Sequence, residues 1–265
     1  MQARRKKLAS KTYRQSLLKV CALSLLFNAT IVSTVANAQT VKAFGAKVTI
    51  GYTSQGRPIV AYRRGSGKTV VFAVGAIHGN EAASSVQARY IKESKVPPDF
   101  TLWVIEVANP DGFASRPRIR QNANGVDLNR NFPGNWIAKQ CPDRNCSGAS
   151  PASEPETVAM LNFFKKVNPA MVVFYHSKSV PSVIDANKEG VANYAKVLVY
   201  ARVSKTMIRN VNCIGPCTGT ATNFINSTIV GSTSFVVELT CDALYCLTSS
   251  VLNSHVKSFW AAAKA

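Results

Sequence analysis

Of the three histidines in this 265-residue sequence, two stand where they could do chemistry: His78, three residues before Glu81, and His176, far downstream. Two histidines and a glutamate can hold zinc and leave a fourth position for water. A spacing of three lets a tight turn, or the first turn of a helix, aim His78 and Glu81 at one point. His176 would reach that point from the end of a separate strand. The same residues also fit two satisfied core histidines and a glutamate that merely opens a helix. Phe235-Val236-Val237-Glu238-Leu239 adds a carboxylate inside an otherwise apolar strand. Burying an ionised carboxylate is costly, so its pKa shifts or a cation neutralises it. A metal-activated water beside Glu238 would supply both a cation and a use, whereas a lysine or arginine at the strand end would supply only the charge.

These side chains need elements to carry them. Val48, Ile50 and Tyr52 alternate ahead of the turn residues 54–58, which predicts an opening hairpin. Residues 69–75 form an apolar run, the mark of a strand covered on both faces, and the run leads into His78. A helix is expected over 81–92, with Val86, Tyr90 and Ile91 as its apolar stripe, and a strand over 101–107 that enters the turn Asn109-Pro110-Asp111-Gly112. Residues 113–146 are polar and aperiodic, and a loop of that length in a compact domain is usually functional. Ser153 and Glu156 form a capping-box pattern, with Pro155 in the first turn of a helix continued by Val158, Leu161, Phe164 and Val167. By that position Glu154 and Glu156 are mainly helix-start residues, with a structural role near the site left open. A strand over 170–175 ends at His176, a helix is expected over 190–207, a strand over 234–239 carries Glu238, and a helix over 249–263 closes the chain. His255 in that last helix reads as solvent-facing. The alternation predicts an α/β fold: a single domain with a mixed, mostly parallel sheet flanked by helices on both faces. Ligands of such sheets bind outside the carboxyl ends of the strands, where His78 falls.

Hydrophobic content of 46%, with 15 glycines and 12 prolines, is that of a globular protein. Seven basic residues from Arg4 to Lys19 precede an apolar run over 20–35 and the small residues Ala36-Asn37-Ala38. This is the three-part layout of a secretory signal peptide over 1–38, cleaved to leave a domain over 39–265. Asn28, Thr30, Ser33 and Thr34 dilute a run already short for a membrane span, which disfavours an uncleaved anchor. The leader carries seven of the positive charges and no acid, so the net charge falls from +19 to +12. A charge of that sign suits a polyanionic neighbourhood such as a cell wall. Export and the lack of an aromatic-basic motif argue against nucleic acid. The expected location is periplasmic or secreted, with no membrane span after cleavage. Beyond Cys21 in the leader, six cysteines fall into close pairs, Cys141/Cys146, Cys213/Cys217 and Cys241/Cys246, and an oxidising compartment would join each pair.

Six segments occur in the order seen in zinc metallocarboxypeptidases: His78-Gly79-Asn80-Glu81, Asn109-Pro110-Asp111-Gly112, residues 125–133 (GVDLNRNFP), residues 153–157 (SEPET), Tyr175-His176 and Phe235-Val236-Val237-Glu238. Over roughly residues 69–240 the chain resembles that family, and most nearly its murein peptide amidase branch. The resemblance implies one Zn²⁺ held by His78, Glu81 and His176, with Glu238 as the general base that activates water. It makes Asp127 the partner that orients the His78 ring, in keeping with the carboxylate that a ligating imidazole normally contacts. Asn129 and Arg130 match the pair that grips a substrate's terminal carboxylate, a task suited to the planar guanidinium fork. Arg120 matches the arginine that polarises the scissile carbonyl, and Arg116 and Arg118 are near enough to compete for that assignment.

Two departures bear on the substrate. Digestive-type members carry a pocket tyrosine ahead of the catalytic glutamate, and residues 201–241 contain none. Residues 190–237 also contain no acid to receive a lysine or arginine end group. Diaminopimelate instead brings an extra carboxylate, and Lys205 and Arg209 are candidates by charge to meet it. The resemblance implies a peptidoglycan peptide as partner, cut between γ-D-glutamate and meso-diaminopimelate. The alternatives are a general zinc carboxypeptidase, an N-acyl amino acid deacylase and a non-catalytic wall-binding protein.

Overall fold

The computed structural model describes residues 45–177, 181–210 and 218–265. The expected leader over 1–38 and the Cys213/Cys217 pair lie outside the described residues. Among those described, eight strands form one sheet: Lys47–Tyr52 (β1), Pro58–Gly65 (β2), Thr69–Val74 (β3), Phe100–Ile105 (β4), Met171–Ser177 (β5), Val183–Ala186 (β6), Met207–Asn210 (β7) and Thr233–Leu239 (β8). Their order is β1-β2-β4-β3-β5-β8-β6-β7. The central strands β4, β3, β5 and β8 run parallel, and β7 runs parallel to β6. The pairs β1/β2, β2/β4 and β6/β8 are antiparallel. This is the mixed, mostly parallel sheet expected. Because β4 and β5 lie on opposite sides of β3, the chain switches direction at the carboxyl ends of the central strands and opens a crevice there.

The helices are Ala82–Glu93 (α1), Pro110–Ala114 (α2), Pro155–Val167 (α3), Tyr194–Ser204 (α4), Ala221–Thr228 (α5) and Ser249–Lys264 (α6). Strand side chains alternate between faces, so the interior divides by parity. Val71, Val173, Tyr175, Phe235 and Val237 pack beneath α1, α4 and α6, and Phe72, Val74, Val172 and Phe174 pack beneath α3 and α5. Each large side chain so buried contributes about 1.5–3 kcal/mol. The same parity sends His176 and Glu238 to the α3/α5 face.

Several local expectations are corrected. The buried face of α1 consists of Ala82, Ala83, Ser84, Ser85, Gln87, Ala88 and Ile91, while Val86 and Tyr90 are only partly buried. Small side chains let α1 sit close on the end of β3, where the Ser84 hydroxyl accepts from the Ala76 N–H at 2.8 Å. Residues 109–112 begin the short helix α2, with the Asn109 side chain accepting from the Gly112 N–H, rather than a free turn. Ser153 forms no capping box; the N-cap of α3 is Glu154, which makes no side-chain cap bond. The helix expected over 190–207 is the shorter α4, because Lys205 turns left-handed at φ 57° and Met207 opens β7.

His255 is not solvent-facing. It is 4% exposed, its Nδ1 lies 3.0 Å from the Tyr200 hydroxyl, and that hydroxyl lies 3.3 Å from the hydroxyl of Tyr175. Burial pushes its pKa down to about 4 from 6.5. Between those values the unfolded chain takes up a proton that the folded chain refuses, so stability falls as pH drops. The expected loss from His255 is roughly 3 kcal/mol between pH 7 and pH 4. Urea unfolding at both pH values should show that loss in the wild type relative to His255→Gln, which keeps a hydrogen-bonding group and cannot titrate in this range; parallel losses would refute it.

Candidate active site

At the end of β3 the chain must leave the sheet and present His78. Gly75 donates to the Ile105 carbonyl at 2.8 Å, Asn109 donates to the Ala76 carbonyl at 2.9 Å, and Ala76 adopts a left-handed φ of 45°. A non-glycine residue held there is strained, and the surrounding bonds hold it in place. The turn closes with Glu81 N–H donating to the His78 carbonyl at 3.1 Å, which makes Glu81 the residue just before α1. Gly79 packs so near α2 that an added Cβ would stand 2.1 Å from the Gly112 carbonyl carbon. His176 arrives from β5, and its register partner on β8 is Glu238.

The three side chains meet. His78 Nδ1 lies 2.8 Å from Glu81 Oε1 and 3.1 Å from His176 Nδ1, and His176 Nδ1 lies 3.0 Å from Glu81 Oε2. All three are buried, and among the described residues they are the group whose donors could share a metal ion. Donors around a tetrahedral zinc with bonds of about 2.0–2.2 Å stand roughly 3.3–3.6 Å apart, so the triangle needs to open by only several tenths of an ångström. His78 Nε2 is 3.0 Å from Asp127 Oδ1. Donating its Nε2–H there leaves the Nδ1 lone pair facing the triangle, the tautomer that a metal ligand requires. Burial opposes charge on His78, but Glu81 and Asp127 outweigh it and raise the pKa. Burial likewise opposes charge on Glu81, yet His78 and His176 hold its carboxyl well below the usual range. Asp127 is held low in the same way, against burial, by His78, Arg120 and Arg130. Two imidazoles and a carboxylate within this reach are a donor set that fits a zinc ion.

Arg120 is anchored to Asp127 Oδ2 by Nε at 3.1 Å and Nη2 at 2.8 Å, while Nη1 points to the triangle, 3.1 Å from His78 Nδ1 and 3.4 Å from Glu81 Oε1. Arg116 instead bonds the carbonyls of residues 113–115, and Arg118 lies over the Phe113 ring at 4.7 Å; neither lines the cavity. The Arg120 loop is set from below. Asn122 Nδ2 donates to Glu154 at 2.7 Å and to Glu156 at 3.2 Å, and Asn124 Nδ2 donates to Glu154 at 2.8 Å. Glu154 and Glu156 are thus buried supports of that loop, not simply helix-start residues. Burial pushes the Glu156 carboxyl up, with Glu154 and Asp111 adding to the shift.

A cavity of about 310 Å³ opens over the triangle, lined by His78, Glu81, Arg120, Asn129, Arg130, His176 and Glu238 among others. Asn129 Oδ1 accepts from the Ala221 N–H at 3.0 Å, which leaves its amide NH₂ to donate. Arg130 Nη1 bonds the Asn129 carbonyl at 2.8 Å, and its buried Nε has no hydrogen-bond partner among the described residues. Burial pushes the Glu238 carboxyl up, with His176 opposing. No lysine or arginine among the described residues forms an ion pair with it.

Lys205 stands outside the cavity, at the end of α4. Arg209 lines the cavity and pairs with Asp185, which corrects the expectation of a wall without an acid: the acid comes from β6, just ahead of residues 190–237. Arg144 also lines the cavity, on a loop closed by the Cys141–Cys146 disulfide. A basic residue between paired cysteines was the available sequence signal. Cys241 and Cys246 are joined as well. No helix among the described residues is long and apolar enough to cross a membrane.

The profile of the zinc carboxypeptidase family, Peptidase_M14, matches residues 34–262. Murein peptide amidase A of Escherichia coli K12 is 36% identical over 111 residues, which cover 37% of this chain and 45% of that protein. A metallocarboxypeptidase A-like protein of Trichophyton verrucosum is 27% identical over 246 residues, covering 75% and 58%. The chain therefore spans about half the length of the curated relatives it matches. Among solved structures, murein-tripeptide amidase from Escherichia coli O157 superposes with a TM-score of 0.60 at 23% identity, covering 84% of this chain and 92% of that one. Carboxypeptidase A from Helicoverpa armigera gives 0.66 at 18% identity, covering 83% and 67%. Both likenesses concern the fold.

Proposed function

The chain belongs to the zinc carboxypeptidase family, and from that premise we propose that it is an exported zinc peptidase that cuts peptidoglycan-derived peptides between γ-D-glutamate and meso-diaminopimelate. The observation that carries the hydrolytic part is the buried triangle of His78, Glu81 and His176 with Glu238 beside it in strand register. Support for the substrate comes from the stretch related to murein peptide amidase A. The net positive charge suits a wall location.

His78, Glu81 and His176 would hold one zinc ion, which when bound supplies a Lewis acid that lowers the pKa of water toward ~7. Asp127 keeps His78 in its ligating tautomer. Arg130 Nε and the Asn129 amide receive the terminal carboxylate of the substrate, which fixes the scissile amide over the triangle. The Glu238 carboxylate accepts a proton as the water oxygen bonds to the amide carbon. Arg120 Nη1 donates to the carbonyl oxygen as negative charge develops there. Glu238 then passes the proton to the nitrogen as the carbon–nitrogen bond breaks, releasing the amine and a carboxylate.

One observation favours a second reading, a general zinc carboxypeptidase: Asp185 puts an acid in the cavity wall. Hydrolysis of L-Ala-γ-D-Glu-meso-diaminopimelate, set beside blocked dipeptides ending in phenylalanine or lysine, separates the two. Chelator-sensitive release of diaminopimelate, with the dipeptides at least ~100-fold slower in kcat/KM, is expected for discrimination of about 3 kcal/mol. Faster cleavage of a dipeptide would move the chain to the carboxypeptidases proper.

A further inference from the structure

Asp185 and Arg209 form the far wall of the cavity. They are register partners on the parallel strands β6 and β7, and Asp185 is in turn the register partner of Val236 on β8. Ile184 and Ile208 belong to the opposite face, so strand parity turns Asp185 and Arg209 toward the face that carries His176 and Glu238. The guanidinium meets the carboxylate fork to fork, Nε to Oδ1 at 2.7 Å and Nη2 to Oδ2 at 2.6 Å. Arg209 keeps 59% of its side chain exposed and Asp185 19%, and ion pairs at such exposure add little to stability.

The pair joins two opposite charges in one fixed unit. The fork engages Nε and Nη2 of Arg209 and both oxygens of Asp185. With 59% of the arginine side chain exposed, the pair remains intact while its rim meets one anion and one cation side by side. A lone ammonium or a lone carboxylate would meet attraction from one member and repulsion from the other. Between the pair and the reacting centre, the half-buried Val236 gives the cavity an apolar floor. Arg209 stands two strand spacings from β8, roughly 10 Å, within reach of a short methylene chain and the arginine side chain together.

We infer that Asp185 and Arg209 are a specificity device for a zwitterionic end group: an α-ammonium and α-carboxylate on one carbon, held from the scissile amide by a few methylenes. Arg209 binds the carboxylate and Asp185 the ammonium. This rests on the amidase reading above, since the distal centre of diaminopimelate, beyond three methylenes, is such a group. It adds that a charge of either sign alone is recognised poorly.

The test uses the zinc-loaded protein and three tripeptides, L-Ala-γ-D-Glu followed by meso-diaminopimelate, by L-lysine (distal ammonium only) or by L-2-aminopimelate (distal carboxylate only). Wild-type kcat/KM should favour diaminopimelate by tenfold or more over both. Arg209→Gln should bring the diaminopimelate-to-lysine ratio toward one, and Asp185→Asn the diaminopimelate-to-aminopimelate ratio, with zinc content and melting temperature verifying each fold. Cleavage of diaminopimelate with both ratios unchanged in the variants would overturn the inference alone. Cleavage of no γ-D-glutamyl substrate by the wild type would overturn the amidase reading and this inference with it.

Discussion

Glu238→Gln is expected to lower kcat by ~10²–10⁴-fold, the range of a lost general base, while zinc stoichiometry and fold persist. Glutamine has nearly the shape of glutamate but accepts no proton from water at neutral pH. The side chain sits beside His176 by strand register, on the cavity wall, and no basic residue among those described forms an ion pair with it. The Ser182 hydroxyl donates to the Glu238 backbone carbonyl at 2.5 Å, a bond that survives the substitution. A purely structural carboxylate would behave differently, with a fall in melting temperature or zinc content and little change in kcat. Single-turnover kinetics with metal analysis of the same sample separates these outcomes, and a wild-type rate in Glu238→Gln would sink the assignment.

His78→Ala should bind no stoichiometric zinc and show no turnover above background. The substitution removes one corner of the triangle and also deprives both Glu81 and Asp127 of the imidazole that helps keep them ionised against burial. Asp127 retains Arg120, and Glu81 retains Arg120 and His176, so the fold should persist while the metal corner is lost. Melting curves with and without a chelator give the readout. A ligand present at 1,000 times its dissociation constant contributes about 4 kcal/mol, which in a domain of this size corresponds to a shift on the order of 10 °C. The wild type should lose that increment on chelation, and His78→Ala, having none to lose, should not shift. Full zinc occupancy in His78→Ala would exclude this histidine as a ligand.

The central strands were readable because a strand covered on both faces leaves a continuous apolar run, as in residues 69–75 and 234–237. The α1 face was misread because a helix lying close on a sheet is selected for small side chains, so Ala82, Ser84 and Ala88 are buried where Val86 and Tyr90 looked the better candidates. His255 misled for a different reason. Its partner Tyr200 comes from α4 and that residue's neighbour Tyr175 from β5, and nothing within a few positions of His255 announces either. Glu154 and Glu156 matched a helix-start pattern, but Asn122 and Asn124, some thirty residues upstream, draw their carboxylates inward.

The sequence by itself singled out the candidate residues: His78, Glu81, His176 and Glu238 are of the few types that a hydrolytic metal site uses, and the structure brings the first three within reach of one another. The strand runs also determined that the chain builds a covered, mixed sheet. The tertiary structure alone decided which side chains share a wall. It set Glu238 beside His176, chose Arg120 over Arg116 and Arg118 to face the triangle, and joined Asp185 to Arg209 across two four-residue strands. The periodicity of a chain states which way a residue points relative to its neighbours in sequence. Which residues it then meets depends on strand order and register, and those are set by packing among segments far apart along the chain.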